Sequence, residues 1–406
     1  MRTILVSAYA CEPLKGSEPA VGWNWVIELA RVNRVHVITR ANNQAIIEKY
    51  IPVEVENNLL FHYYDTPNFI KKLKNKDKGL YFYNICWQIG ILSVAKRIMK
   101  NEKIDYSIHL TFGSMWMPTF LPLLKVPFIW GPIGGGECVP KSFLSVLPFK
   151  QRIVQTFRYF LNATTILNPF IILPCWKAKT ILARTPNTLN AIPKCFRHKV
   201  KILLETAMEE SIFNYEKTNY NSENINIIIS ARLISIKNIP IAIRAFRYVK
   251  TNKKWNLTII GSGPDLKIIK KEIVAQKYNN IQIIPFMPRN EALQKIVSSD
   301  IFLFPSLKEG GSWALMEAMA IGLPVICVNW AGMAVETTKE SAIQIPVTNP
   351  LQMERDMGAA LTCLIENSEK RKELGLAARK RIKEVFSWHN KGISMEKIFI
   401  ELETNK

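Results

Sequence analysis

The stretch FLFPSLKEGGSWALMEAMAIGLPVICV, residues 302–328, decides how the chain folds. Just before and into it, Ile301 to Phe304 is a short apolar run followed by turn residues, the pattern of a buried strand in a parallel sheet. Pro305, Ser306 and the pair Gly310–Gly311 predict a loop. From Trp313 to Ile321 the strong helix formers Ala, Leu, Met and Glu predominate, and Gly322 with Pro324 ends the run in the expected order. Val325 to Val328 reads as the next strand. The unit is β–loop–α–β, with one carboxylate, Glu309, just before the glycines and a second, Glu317, eight residues further on.

Glycines at a helix N-terminus let amide groups approach an anion, and the helix dipole adds to the attraction. A carboxylate repels phosphate but accepts hydrogen bonds from sugar hydroxyls. Two acids beside an anion site therefore fit a ligand carrying both groups, and a nucleotide sugar is such a ligand.

Glu309-Gly-Gly-Ser-Trp-Ala-Leu-Met-Glu317, followed by Ala-Met-Ala-Ile-Gly-Leu-Pro-Val, resembles the glutamate–seven residues–glutamate signature of retaining glycosyltransferases of family 4. The resemblance implies an α/β protein of the GT-B fold: two Rossmann-like domains facing across a cleft, with a last helix crossing back to the N-domain. That family usually carries a Gly-Phe-Gly-type sequence after its first Glu; here Gly310-Gly311-Ser312-Trp313 stands there, which implies a differently shaped sugar pocket.

At 406 residues the chain is long enough for two domains, and 48% apolar residues suffice for two cores. Seven scattered Cys without CxxC spacing and five His without ligand spacing predict reduced thiols and no metal site. Met1 leads directly into a strand at Ile4 to Ala8, so no signal peptide is expected and a cytoplasmic location is. The net charge of +21 is uneven, and between Tyr106 and Lys199 eleven basic residues face one acid, Glu137. Such an excess attracts polyanions or anionic lipid.

In chain order, the first strand leads through Gly16 to a helix for which Ser17 is the expected N-cap. Strands are expected at Val35–Thr39 and Asn58–Tyr64, then five lysines between Lys71 and Lys78 flanked by aromatics, a candidate lipid-facing patch. A strand at Ile104–Leu110 puts His109 at a carboxyl end, where open α/β sheets bind ligands. After a strand at Val126–Trp130 comes Gly131-Pro132-Ile133-Gly134-Gly135-Gly136-Glu137, resembling a segment of one subgroup of the family. Lys141–Trp176, aromatic and carrying only positive charge, predicts amphipathic helices and a second lipid-facing surface. The first domain is expected to span 1–204, a linker 205–224, the second domain 225–386, and the returning helix 387–406.

In the second domain Arg232 and Lys237 sit between a strand and a helix, placed to clamp a diphosphate. They match the family's Gly-Arg-Leu…Lys-Gly segment, with Ala231 and Asn238 in place of its glycines. Gly261-Ser262-Gly263-Pro264 resembles the family's Gly-x-Gly-Pro loop.

The resemblance then implies metal-independent, retaining transfer from a nucleoside-diphosphate sugar to a saccharide or lipid-linked saccharide acceptor. Glu309, His109, Arg232 and Lys237 would carry the chemistry. Gly16, Gly263, Phe286, Met287, Gly310, Gly311, Ser312 and Glu317 would hold the donor, and Gly134, Glu137 and Glu18 the acceptor; Glu336 lies near the donor or in a plain loop. No cofactor is expected, and an anionic membrane surface on the inner face of the cell membrane is the expected location. Two other classes fit parts of the pattern: a non-hydrolysing nucleotide-sugar epimerase of the same fold, and a nucleic-acid-binding protein, for which no recognition motif is present.

Overall fold

The computed structural model describes residues 1–72 and 79–404, so Leu73–Lys78 of the lysine cluster lie outside the described residues. The chain forms two compact units, residues 1–136, 161–205 and 388–406, and residues 137–160 and 206–387. The boundaries differ from expectation in two places. Residues 137–160 belong to the second unit, and the polar stretch expected as a linker is built into that unit from Thr206 onward, with a short helical turn at Glu210–Asn214.

Among the described residues the first unit holds seven strands: β1 (Thr3–Ser7), β2 (Arg34–Arg40), β3 (Leu59–Tyr64), β4 (Tyr106–His109), β5 (Phe128–Ile133), β6 (Ala178–Ala183) and β7 (Val200–Ile202). All pair in parallel, in the order β3-β2-β1-β4-β5-β6-β7. Strands buried on both faces read as near-continuous apolar runs, and β5 has every residue buried. The Trp388–Thr404 helix belongs to this unit and lies against the Ser17–Ala30 helix. Trp388 meets Trp25 edge-on at 6.3 Å, and Phe399 packs on Tyr106 at 5.0 Å.

The second unit holds β8 (Ile225–Ser230), β9 (Trp255–Ile260), β10 (Ile281–Ile284), β11 (Ile301–Phe304), β12 (Val325–Val328) and β13 (Ile343–Ile345), all parallel, in the order β10-β9-β8-β11-β12-β13. The expected β–loop–α–β unit is present, with its helix at Trp313–Ile321 and Gly322 closing it in the left-handed conformation, φ +93°. The stretch 350–385 forms two helices, Pro350–Glu366 and Ser368–Val385, because Asn367 leaves helical geometry and its side chain caps the second.

Candidate active site

In the second sheet the strand order reverses between β8 and β11: β9 and β10 extend one way, β12 and β13 the other. Beyond the carboxyl ends of strands at such a switch point the two following loops part and leave a crevice. Arg232 and Lys237 follow β8, and Glu309 follows β11, so three of the four expected catalytic residues come from these two loops. The loops are tied together by Leu307 N–H donating to Ile236 O at 2.8 Å. The Lys237 ammonium pairs with the Glu309 carboxylate, and Ser306 Oγ donates to the same oxygen at 2.5 Å. Lys237 Nζ also lies 5.4 Å from the Phe304 ring centre, a cation–π contact that fixes its direction. Arg232 is exposed and makes no ion pair among the described residues.

Backbone geometry explains the residues that depart from the family's glycines. Asn238 stands in the left-handed region, φ +56°, and is buried at the start of the Ile239–Ala245 helix. Asn is the side-chain-bearing residue best suited to that conformation, so the loop keeps its shape without Gly. Gly261 and Gly263 have φ +152° and +158°, and a Cβ on them would lie 1.9 Å from Ala231 O and 2.3 Å from Leu233 O. Gly263 is thus required by the interlock with the loop carrying Arg232, which is how it shapes the site.

The start of the Trp313–Ile321 helix differs from the expectation of bare amides. Ser312 Oγ accepts from Leu315 N at 3.4 Å, and the Ser312 amide itself donates to the fully buried Glu336 carboxylate. A Cβ on Gly311 would sit 2.0 Å from Thr206 Oγ1, and the Gly310 carbonyl fills the space a Cβ on Gly332 would need. Gly311 therefore serves close packing against Thr206, Gly332 leaves room for the Gly310 carbonyl, and Glu336 holds the loop from behind.

Glu317 lies mostly buried on the same helix, 2.8 Å from Arg289 Nε. Burial raises its carboxyl above the usual range, and Arg289 partly offsets this. Arg289, missed by the sequence reading although it directly follows Phe286-Met287-Pro288, also lines a cavity of about 450 Å³ with Tyr215, Asn214, Asn290 and Gln294. Phe286 is 78% exposed after β10, and Met287 is half-buried.

In the first sheet the order reverses between β1 and β4. Among the described residues, apart from its own chain neighbours, nothing lies within 4 Å of the place a Gly16 Cβ would take. Ser17, expected as N-cap, makes no capping bond; it carries the strained angle, φ +60°, and Gly16 takes the cap position with φ −90°. Glu18 Oε1 accepts from Gly113 N at 3.2 Å, joining the loops after β1 and β4, so this carboxylate expected at the acceptor is engaged by the fold. His109 is 1% exposed, and burial lowers its imidazole to about 4, partly offset by the Phe112 backbone. It is neutral near pH 7, and contact with a sugar would need the turn after β4 to move. A Cβ on Gly134 would strike the Arg184 guanidinium, which pairs with Glu205 at 2.6 Å. Glu137 is 3% exposed and belongs to the second unit.

Two all-parallel Rossmann-like units with these topologies are the architecture of GT-B glycosyltransferases. HepE from Anabaena, solved with UDP, superposes with a TM-score of 0.63 at 12% identity, covering 99% of this chain and 100% of that one. Residues 211–381, nearly all of the second unit's continuous segment, match the family described as glycosyl transferases group 1. The chain is 30% identical over 207 residues, 48% of its length and 49% of the relative's, to the amylovoran biosynthesis glycosyltransferase AmsK of Erwinia amylovora. It is 26% identical over 231 residues, 55% of its length and 60% of the relative's, to the N-acetylgalactosamine-N,N'-diacetylbacillosaminyl-diphospho-undecaprenol 4-alpha-N-acetylgalactosaminyltransferase of Campylobacter jejuni. The chain spans about half the length of the curated relatives it matches. Among the described residues no helix is long and apolar enough to cross a membrane.

Proposed function

We propose that this chain is a retaining, metal-independent glycosyltransferase of family 4. It moves a sugar from a nucleoside diphosphate to a hydroxyl of a lipid-linked saccharide, at the inner face of the cell membrane, in the synthesis of a surface polysaccharide. The observation that carries the reading is the Lys237–Glu309 pair at the β8/β11 switch point, with exposed Arg232 on the same loop as Lys237. The relatives' printed names, one in amylovoran biosynthesis and one on a diphospho-undecaprenol-linked saccharide, support the acceptor class.

In the reaction the bond from the anomeric carbon to the diphosphate oxygen breaks, and a bond from the acceptor oxygen forms on the same face. The acceptor proton passes to the departing phosphate oxygen. Negative charge grows on the diphosphate, so cations placed there stabilise the transition state more than the ground state. Lys237 and Arg232 supply that charge without a metal. The arriving diphosphate competes with Glu309 for Lys237, which frees the Glu309 carboxylate to accept from sugar hydroxyls. Glu317 leaves Arg289 to hold the ribose hydroxyls, while Phe286 and Met287 flank the base; Gly16 is assigned to the donor, His109 to the sugar, and Gly134 and Glu137 to the acceptor.

Lys237→Ala and Glu309→Ala should each lower turnover by at least about 100-fold, with Lys237→Ala also weakening UDP binding by thermal shift. Near-normal turnover in both variants would refute the assignment.

A further inference from the structure

The Phe149–Ala163 helix is built inside out. Its buried residue is polar: Gln155, 3% exposed, accepts from Val139 N at 3.3 Å, and on the same side Tyr159 donates its hydroxyl proton to Val139 O at 2.7 Å. Its outward residues include five large apolar ones. Phe149, Phe157 and Phe160 are 72%, 57% and 61% exposed, and Ile153 and Val154 are about half exposed. At 100° per residue these five, with Lys150, fall within one face of the helix. A helix of an ordinary globular unit has the reverse arrangement, so this face is made to be covered by something outside the unit.

The charge around it says by what. From Cys138 to Leu204 the sequence contains eleven Lys and Arg and not one Asp or Glu. On the helix, Lys150 and Arg152 are exposed, and Arg152 is held in place by donating to Leu144 O and Ser145 O at 3.1 and 2.9 Å. A second copy pressed onto this face by a two-fold axis would bring these cations against their own counterparts, which disfavours self-association. Phenylalanines flanked by cations, with no acid, match the boundary between acyl chains and anionic headgroups.

We propose that the Phe149–Ala163 helix lies in the interfacial layer of an anionic lipid bilayer, with Phe149, Ile153, Phe157 and Phe160 sunk among the acyl chains and Lys150 and Arg152 at the headgroups. The inference deepens the proposed function, resting on it only for the acceptor being lipid-linked, and gives the membrane contact a definite element. The test is sedimentation of the whole chain with phosphatidylcholine vesicles and with vesicles of equal parts phosphatidylcholine and phosphatidylglycerol. The double variant Phe149→Ser, Phe157→Ser changes two exposed side chains, and a UDP thermal shift equal to that of the unchanged chain verifies its fold. The unchanged chain is expected to prefer the anionic vesicles, and the double variant to bind them about tenfold or more weakly. Three results would overturn the proposal: equal binding by the variant, no anionic preference in the unchanged chain, or a concentration-dependent dimer that the double variant dissociates. A chain that binds vesicles but shows no response to any nucleotide would instead sink the proposed function and leave this inference standing.

Discussion

Glu336 shows how a residue far along the chain can shape the candidate site without touching a ligand. Fully buried, it accepts from the Ser312 amide, the residue that caps the helix carrying Glu317. Arg381 anchors its stretch by donating to Glu336 O and Val335 O at 2.7 and 2.8 Å. Removing a buried acceptor strands its donor, at a cost of about 1–3 kcal/mol. Glu336→Ala should therefore raise the donor KM by about tenfold, while Glu336→Gln, which keeps an acceptor oxygen, should recover most of the loss. A kcat loss with unchanged KM in the Ala variant would place Glu336 elsewhere in the mechanism. His109 makes a different prediction. Its imidazole is lowered to about 4 in the folded chain against a usual 6.5, so the unfolded chain binds the proton first as pH falls. Stability is full above about 6.5 and declines toward pH 4, by about 3 kcal/mol in all. Glu18 and Glu317, whose carboxyls burial raises, work in the opposite direction. The discriminating measurement is the melting temperature of His109→Gln against the unchanged chain, which should drop less between pH 7 and 4.5; equal drops would show that His109 is already exposed to protons.

At the scale of single elements, the loop after β8 rests on one backbone angle. Asn238 at φ +56° turns the chain from the segment bearing Lys237 into the next helix. A β-branched side chain is strained there by about 1–2 kcal/mol, whereas Gly adopts the angle freely. Asn238→Val should lower both the melting temperature and the affinity for the nucleoside-diphosphate donor, and Asn238→Gly should leave them close to the starting values; a Val variant with unchanged donor affinity would mean that the angle does not position Lys237. The same elements show what was legible beforehand. Period and punctuation located β11, the helix from Trp313 to Ile321 and β12 at their observed bounds, because a buried run, a glycine loop, helix formers and a Gly–Pro stop all agree locally. What was not legible depends on contacts distant in sequence. That Gly311 is needed against Thr206, that the Ser312 amide is taken by Glu336, and that Glu18 turns to Gly113 are facts of packing between residues 24 to 105 positions apart. Local pattern carries no trace of such partners. Ser17 was misread for a related reason: Ser is a frequent N-cap, but the strained angle falls on it and the cap on Gly16.

Across the whole molecule, the last helix belongs to the first unit. Arg2 at the chain start pairs with Glu396 at 2.6 Å and Glu403 at 2.7 Å, and its guanidinium lies 5.1 Å from the Phe399 ring centre. Phe399 is fully buried and packs on Tyr106 of β4, the strand that ends at His109. The ion pairs are partly exposed and contribute little on their own. The ring is a different matter, since truncating a buried Phe to Ala costs about 3–5 kcal/mol in transfer and cavity terms. Phe399→Ala should therefore lower the melting temperature markedly, while Arg2→Ala does so only slightly. The location of the effect is the sharper expectation. Hydrogen exchange should quicken first in β1, β4 and the Ser17–Ala30 helix, because these are the elements that the Trp388–Thr404 helix covers or adjoins, with β8 to β13 losing protection later. Simultaneous loss across both sheets at the same denaturant concentration would show that the chain unfolds as one cooperative block, and that the helix secures more than the unit to which its contacts assign it.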